Sequence, residues 1–211
     1  MSVLENLKEN VIAGNESKVL EYTRKALDEG IDLEKILNDG FIPGMDVVGS
    51  KFQANEIYVP EMLISAKAMK AGMKILEPLL TEAGVEPIGK VVIGTVKGDL
   101  HDIGKNLVAM MLEGGGFEVI DAGVDITAQK FMDLVKENKP DILGLSALLT
   151  TTMVEIKNVI DAFKEEGLRD DVKIIVGGAP VSENYAKDIG ADGYSPDAAS
   201  AVNLAKNLLG K

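Results

Sequence analysis

A chain of 211 residues with 46% hydrophobic content is long enough to bury one large core or two small ones. It has no cysteine, which excludes disulfides, zinc–thiolate sites, iron–sulfur clusters and thiolate nucleophiles and agrees with a reducing compartment. Thirty-four acidic against 22 basic residues give a net charge of −12, which opposes binding to nucleic acid or to an anionic membrane surface.

The first residues, MSVLENLKENVIAGNESK, carry acids early and lack the basic start and apolar core of a secretory signal. No stretch approaches the roughly 18 uninterrupted apolar residues of a membrane span. A cytoplasmic location is the expectation. Up to about residue 85 the apolar positions recur at helical spacing. Ser17 is placed to cap KVLEYTRKALDE, which Gly30 ends, and Asp32 to cap a shorter LEKILNDG. A longer helix starts at Pro60, with Met62, Ala66, Met69, Met73, Leu76 and Leu80 at steps of four and three, the spacing of a bundle seam. Pro78 is expected to kink or shorten its last turn. Residues 1–84 therefore read as a small helical bundle.

At GVEPIGK, residues 84–90, the pattern breaks on Gly and Pro, and 85–90 is expected to be a linker. From residue 91 to 211, short apolar runs alternate five times with amphipathic ones. The strands are KVVIGTV, FEVIDAG, DILGLSA, VKIIVGG and ADGYS. Continuous apolar strands alternating with helices imply a parallel sheet covered on both faces, and right-handed crossovers narrow this to a doubly wound sandwich. The fold class is thus α plus α/β: a helical bundle, then a flavodoxin-like (Rossmann-type) five-stranded parallel sheet. Ligands of such sheets sit beyond the carboxyl ends of the strands.

The first loop at that edge, KGDLHD, holds His101, the one histidine of the chain. A loop histidine that only hydrogen-bonds locally is the ordinary alternative. Asp99 lies close enough to accept an imidazole N–H, fixing the tautomer and leaving the other nitrogen free for a metal. Gly104 lets another group approach the next helix start, and Asp102 is expected to cap that helix. The third loop is dense in hydroxyls: Ser146, Thr150, Thr151 and Thr152. One of these is expected to cap a helix, but four exceed that need. The fourth loop offers Gly177 and Gly178, a paired-glycine turn or a place for a bulky ligand. A metallohydrolase would need further ligands, and no second histidine exists. A triad using Ser146 lacks a nucleophile elbow, a receiver domain would need an aspartate where the third strand ends in GLSA, and GDLHDIG is not a dinucleotide fingerprint. One neutral imidazole on a metal whose other positions a tetrapyrrole-like macrocycle fills remains compatible.

DLHDIG resembles the D-x-H-x-x-G motif of cobalamin-binding domains, as in methionine synthase, methylmalonyl-CoA mutase and the corrinoid proteins of methyltransferase systems. SALLT and GG resemble that family's later signatures, in order and in the expected loops. VGSKFQANEIYVPEMLISAKAMKAGMKILEPLL resembles the helical cap that precedes the cobalamin domain in methionine synthase and in corrinoid methyl carriers. The mutases lack a cap there, so the resemblance favours methyl transfer, and it covers nearly the whole chain.

The resemblance implies a cobalamin bound base-off, with His101 as lower axial ligand to cobalt. Asp99 would bond His101, and Thr152 would complete a relay, where methionine synthase has serine. Ser146, Leu148 and Thr150 would line the channel for the cofactor tail, with Gly177 and Gly178 making room. Asp102 and Gly104 belong to the same motif, and Tyr58, Val59 and Met62 would cover the upper face unless they pack the bundle core. The implied function is a methyl carrier between two methyltransferases. One would use a donor such as a methylamine, methanol, quaternary amine or methoxylated aromatic; the other would use tetrahydrofolate or coenzyme M. The carrier would not be a complete catalyst alone, and a corrinoid reactivase is a further implied partner. The alternative is a cobalamin-dependent sensor or regulator. Those that bind DNA carry a basic winged helix, for which this sequence has neither room nor charge.

Overall fold

The structure is a computed structural model that describes residues 1–211. The chain divides into two compact units, Met1–Pro87 with Glu113–Gly116, and Ile88–Leu112 with Phe117–Lys211.

In the helical unit, α1 (Val3–Ile12) opens on Ser2, whose hydroxyl accepts the Glu5 N–H while the Glu5 carboxylate accepts the Ser2 N–H. The cap of α2 (Glu16–Asp28) is Asn15, whose side-chain oxygen accepts the Lys18 N–H at 3.2 Å. Ser17 therefore sits inside the first turn rather than before it, because the turn out of α1 closes at Gly14 and leaves Asn15 in the cap position. Asp32 caps α3 (Leu33–Lys35) as expected. The chain does not stop at Gly40. It continues through a π-helix (Ile36–Phe41) into α4 (Ile42–Gln53). Pro43 brings no N–H to the ladder, and just before it the spacing widens, Ile42 N–H donating to Leu37 C=O. Gly40 serves packing instead of termination: a Cβ there would lie 2.8 Å from Leu7 Cδ2.

Helix α5 (Val59–Ala83) carries Pro60 in its first turn, and the Glu61 carboxylate accepts the Tyr58 N–H at 3.1 Å. The helix runs on past Pro78 to Gly84, because Pro78 and Lys74 lie on the exposed face, where water can take the carbonyl that proline leaves without a donor. Of the expected seam, Met62, Ala66, Met69, Leu76 and Leu80 are buried and Met73 is half-buried. Gly72 completes the stripe, since a Cβ would meet the Phe41 ring at 2.6 Å and Val19 at 2.9 Å.

The second unit alternates β1 (Lys90–Val96), α6 (Ile103–Gly114), β2 (Glu118–Ile126), α7 (Ala128–Asn138), β3 (Ile142–Ser146), α8 (Met153–Glu165), β4 (Lys173–Gly177), α9 (Glu183–Ile189), β5 (Gly193–Tyr194) and α10 (Ala198–Leu208). All pairings are parallel, in the order β2-β1-β3-β4-β5. This is the flavodoxin-like order, and its winding reverses between β1 and β3. The core between sheet and helices is built by Val92, Phe131, Leu143, Ile160, Phe163 and Ile174. Each such side chain contributes about 1.5–3 kcal/mol by leaving water. β2 is longer than the FEVIDAG run implies. It pairs regularly with β1 as far as Ile93↔Asp121, then slips twice, to Gly94↔Gly123 and Val96↔Ile126. Each slip inserts one extra residue on the edge strand.

Candidate functional site

Where the winding reverses, the loops after β1 (97–102) and after β3 (147–152) lie side by side beyond the strand ends. Asp99 joins them. Its Oδ1 accepts the His101 Nδ1–H at 2.7 Å and the His101 backbone N–H at 3.1 Å. Its Oδ2 accepts the Thr152 hydroxyl at 2.6 Å, the Leu148 N–H at 2.7 Å and the Leu149 N–H at 3.4 Å. The residue is 0% exposed. Enclosure on its own would raise the carboxyl pKa. The Thr152 hydroxyl, the Leu148 N–H and the ring and N–H of His101 outweigh it and hold Asp99 well below the usual carboxylate range.

An ionised carboxylate can only accept, so the 2.7 Å contact places the imidazole proton on Nδ1 and leaves a lone pair on Nε2. The His101 side chain is 50% exposed. Its free nitrogen thus belongs to a ring that is fixed at one edge and accessible elsewhere. No group of three or more His, Asp or Glu side chains is arranged to hold a metal ion.

Thr152 is buried and stands at the N-cap position of α8, yet makes no capping bond. Its hydroxyl donates to Asp99 and accepts the Leu149 N–H at 3.3 Å. The residue at the cap position thus does not cap, contrary to the expectation that one of this loop's hydroxyls would, and Thr152 instead bonds Asp99 as the relay implied: an enclosed anion is the stronger claim on its proton. Asp102 is corrected likewise. Its carbonyl accepts the Asn106 N–H at 2.8 Å, but its carboxylate accepts from the Asn106 side-chain amide at 3.1 Å instead of from a backbone N–H.

Gly104 lies in the first turn of α6 with nothing within 4 Å of where a Cβ would be. Ser146 ends β3 half-buried between Thr95 and Gly177, and Thr150 is exposed in the following turn. Gly178 has a different explanation from the one expected. Its φ is +119° and a Cβ would fall 1.8 Å from the Ala147 carbonyl oxygen, so the protein itself fills the space. At Gly177 a Cβ would sit 3.2 Å from the Ser195 carbonyl oxygen. In the helical unit Tyr58 is exposed and Val59 half-buried, whereas Met62 is 1% exposed on the same stripe as Met69 and Leu76. Met62 packs in the bundle core of the ligand-free chain, the alternative that the sequence left open beside covering a ligand.

Several neighbours escaped the sequence analysis. Thr95, fully buried, donates its hydroxyl to the His101 carbonyl at 2.8 Å. A lone hydroxyl inside the apolar run VVIGTV was a legible signal. Asp125 reaches the His101 loop from β2, a contact that no motif announces. Leu100 and Ile103, at 71% and 75% exposed, flank His101, and Leu148, Leu149 and Val154 leave further apolar surface open on the facing loop.

Two family models match, each described as a B12 binding domain, over residues 89–203 and 3–77. The chain belongs to the corrinoid protein family. It is 46% identical to a corrinoid protein of Desulfitobacterium hafniense, over 100% of this chain and 99% of that one. It is 42% identical to dimethylamine corrinoid protein 3 of Methanosarcina acetivorans, over 98% of this chain and 97% of that one. The solved methanol:cobalamin methyltransferase complex of Methanosarcina barkeri superposes with a TM-score of 0.86 at 30% identity, covering 99% of this chain and 80% of that one. This corrinoid protein is accordingly a cobalamin-binding protein, and the crevice fits such a group. It offers one imidazole with a free Nε2, open space above Gly104 and exposed apolar side chains on both loops, a surface suited to a broad, largely apolar ring that brings its own metal ligands.

Proposed function

We propose that the protein is a methyl carrier, with His101 Nε2 as the lower axial ligand to the cobalt of a base-off cobalamin. When bound, cobalamin supplies a cobalt centre that can take up and give away a methyl group. The Asp99 contact with His101 Nδ1 carries the proposal, because it fixes the neutral ring in the tautomer whose lone pair is on Nε2 and makes the ring a stronger donor. Thr152 and the Leu148 N–H share the charge of Asp99 on its other oxygen, moderating that effect. Proton and charge are thereby held at stated atoms: the proton on Nδ1, the negative charge on an enclosed Asp99. Ser146, Leu148, Thr150 and Gly177 are assigned to the cofactor tail, with Gly178 holding the turn beside them. Asp102 and Gly104 are assigned to the rim, and Tyr58 and Val59 to the methyl-bearing side. Residues 85–90 would act as the linker between cap and cobalamin domains.

The partners we propose are a methyltransferase that loads the carrier and a second that unloads it to tetrahydrofolate or coenzyme M. Relatives named for dimethylamine and trimethylamine, together with the methanol complex, favour a small methylated amine or alcohol as the donor. The test is a spectrum. Protein reconstituted with hydroxocobalamin should show histidine ligation, and His101→Ala should change the axial-ligand bands and weaken retention. Unchanged bands and retention would remove His101 from the proposal. Methyl transfer from candidate donors in the presence of a partner methyltransferase then separates a carrier from a sensor, which would bind the cofactor without turnover.

A further inference from the structure

The segment that bears Asp99 and His101 is gripped from the side by the edge strand. Asp125 has φ +56°, in the left-handed region that aspartate tolerates better than most residues but still at some cost. In that conformation its side chain and its backbone both meet the same loop. Asp125 Oδ1 accepts the Gly98 N–H at 2.7 Å, and the Asp125 N–H donates to the Asp99 carbonyl at 3.0 Å. The two bonds lie on either side of the Asp99 α-carbon. Two residues on, the buried Thr95 hydroxyl holds the His101 carbonyl at 2.8 Å.

The grip sits at the slips in β2. Had β2 stayed in register beyond Asp121, Val96 would face Val124 and Asp125 would stand opposite Lys97 as an ordinary strand residue. With two extra residues accommodated, Val96 pairs with Ile126, and Asp125, beside the second slip, turns its carboxylate to Gly98 and its N–H to Asp99. Irregularities of this kind commonly re-aim a side chain beside a functional site.

We infer that Asp125 is a positioning residue for His101. By fixing the Lys97–Gly98 and Asp99–Leu100 peptides, which bracket Asp99, it sets where the Asp99 carboxylate, and through it the imidazole, is presented. This inference rests on His101 being the proposed cobalt ligand, but the geometry it claims exists in the ligand-free chain and can be measured there.

The experiment compares the full chain with Asp125→Gly, which keeps the backbone conformation and its N–H but removes the acceptor, and Asp125→Asn, which restores a neutral acceptor. In ligand-free protein, NMR should show Gly98 amide exchange accelerated about tenfold or more in the Gly variant, the consequence of losing one charge-assisted hydrogen bond. The His101 Nδ1–H signal should broaden or vanish in the same variant, and the Asn variant should recover most of both. After hydroxocobalamin is added, the Gly variant should acquire part of the spectrum of His101→Ala, and the Asn variant should not. If Gly98 protection and the Nδ1–H signal are native in Asp125→Gly, the inference is overturned. It is equally overturned if that variant unfolds while Asp125→Asn is native in every reading, since Asp125 would then serve stability alone. Should His101→Ala itself leave the cobalamin spectrum unchanged, the ligand assignment fails, and the ligand-free NMR still decides the role of Asp125.

Discussion

Replacing Thr152 by valine keeps the shape of the side chain and deletes the hydroxyl. The enclosed Asp99 Oδ2 would then retain the Leu148 N–H at 2.7 Å and the long Leu149 N–H at 3.4 Å, having lost its shortest partner at 2.6 Å. A hydrogen bond to a charged group contributes about 1.5–3 kcal/mol, and with solvent excluded nothing replaces it. At about 2–4 °C per kcal/mol, the melting temperature should fall by roughly 3–12 °C. Thr152→Ser is the control: it keeps the hydroxyl and removes one methyl, at about 0.8 kcal/mol. The pH dependence has a definite sign. Asp99 is held below its ordinary value when folded, so its stabilisation is complete above the unfolded pKa of about 3.9 and is lost as pH falls through the folded value. Losing the Thr152 bond raises the folded value toward 3.9. The gap between Thr152→Ser and Thr152→Val should therefore be full at pH 7 and shrink only in acid more extreme than about 3.9. Urea and thermal melts of the ligand-free chain, followed by circular dichroism at pH 7 and pH 3, measure it. A valine variant as stable as the serine variant at pH 7 would refute the claim that the hydroxyl supports an ionised Asp99.

Gly178→Ala combines a left-handed backbone with a methyl 1.8 Å from a carbonyl oxygen, so a loss above about 4 kcal/mol is expected, seen as little or no folded protein. A native-like melt would contradict it. Lys105, whose side chain is 2% exposed, is held by Asp121, whose side chain is 47% exposed. Asp121→Ala would leave an enclosed ammonium with only the Asn106 side-chain oxygen and should cost about 3–5 kcal/mol. Lys105→Met leaves a carboxylate that water can reach and should cost less; the opposite order of urea midpoints would show that burial does not govern this pair.

The fold is legible in the sequence where a period repeats. Strands buried on both faces read as unbroken apolar runs such as VVIGTV and IIVG, and right-handed crossovers then restrict how five of them can be ordered. The reversal between β1 and β3 follows, and with it the position of His101, which is why one imidazole in one loop could be assigned to an edge where ligands bind. Asp99 is legible from its distance of two residues, and Thr152, as a partner of that carboxylate, from the family resemblance. Met62 shows the limit of a stripe: steps of three and four identify the buried face of a helix and do not say what lies against it. Gly178 shows another. A glycine that makes space for a ligand and one that avoids its own neighbouring carbonyl look the same in the sequence. Asp125 and Lys105 were out of reach for a common reason. Both depend on β2 near its slips at Gly94↔Gly123 and Val96↔Ile126, and an inserted residue has no periodic signature. The regular part of the sheet decides where the crevice is, while the irregular end of its edge strand decides how the loop is aimed. Substitutions in residues 121–126 should therefore alter the presentation of His101 while leaving the sheet order intact.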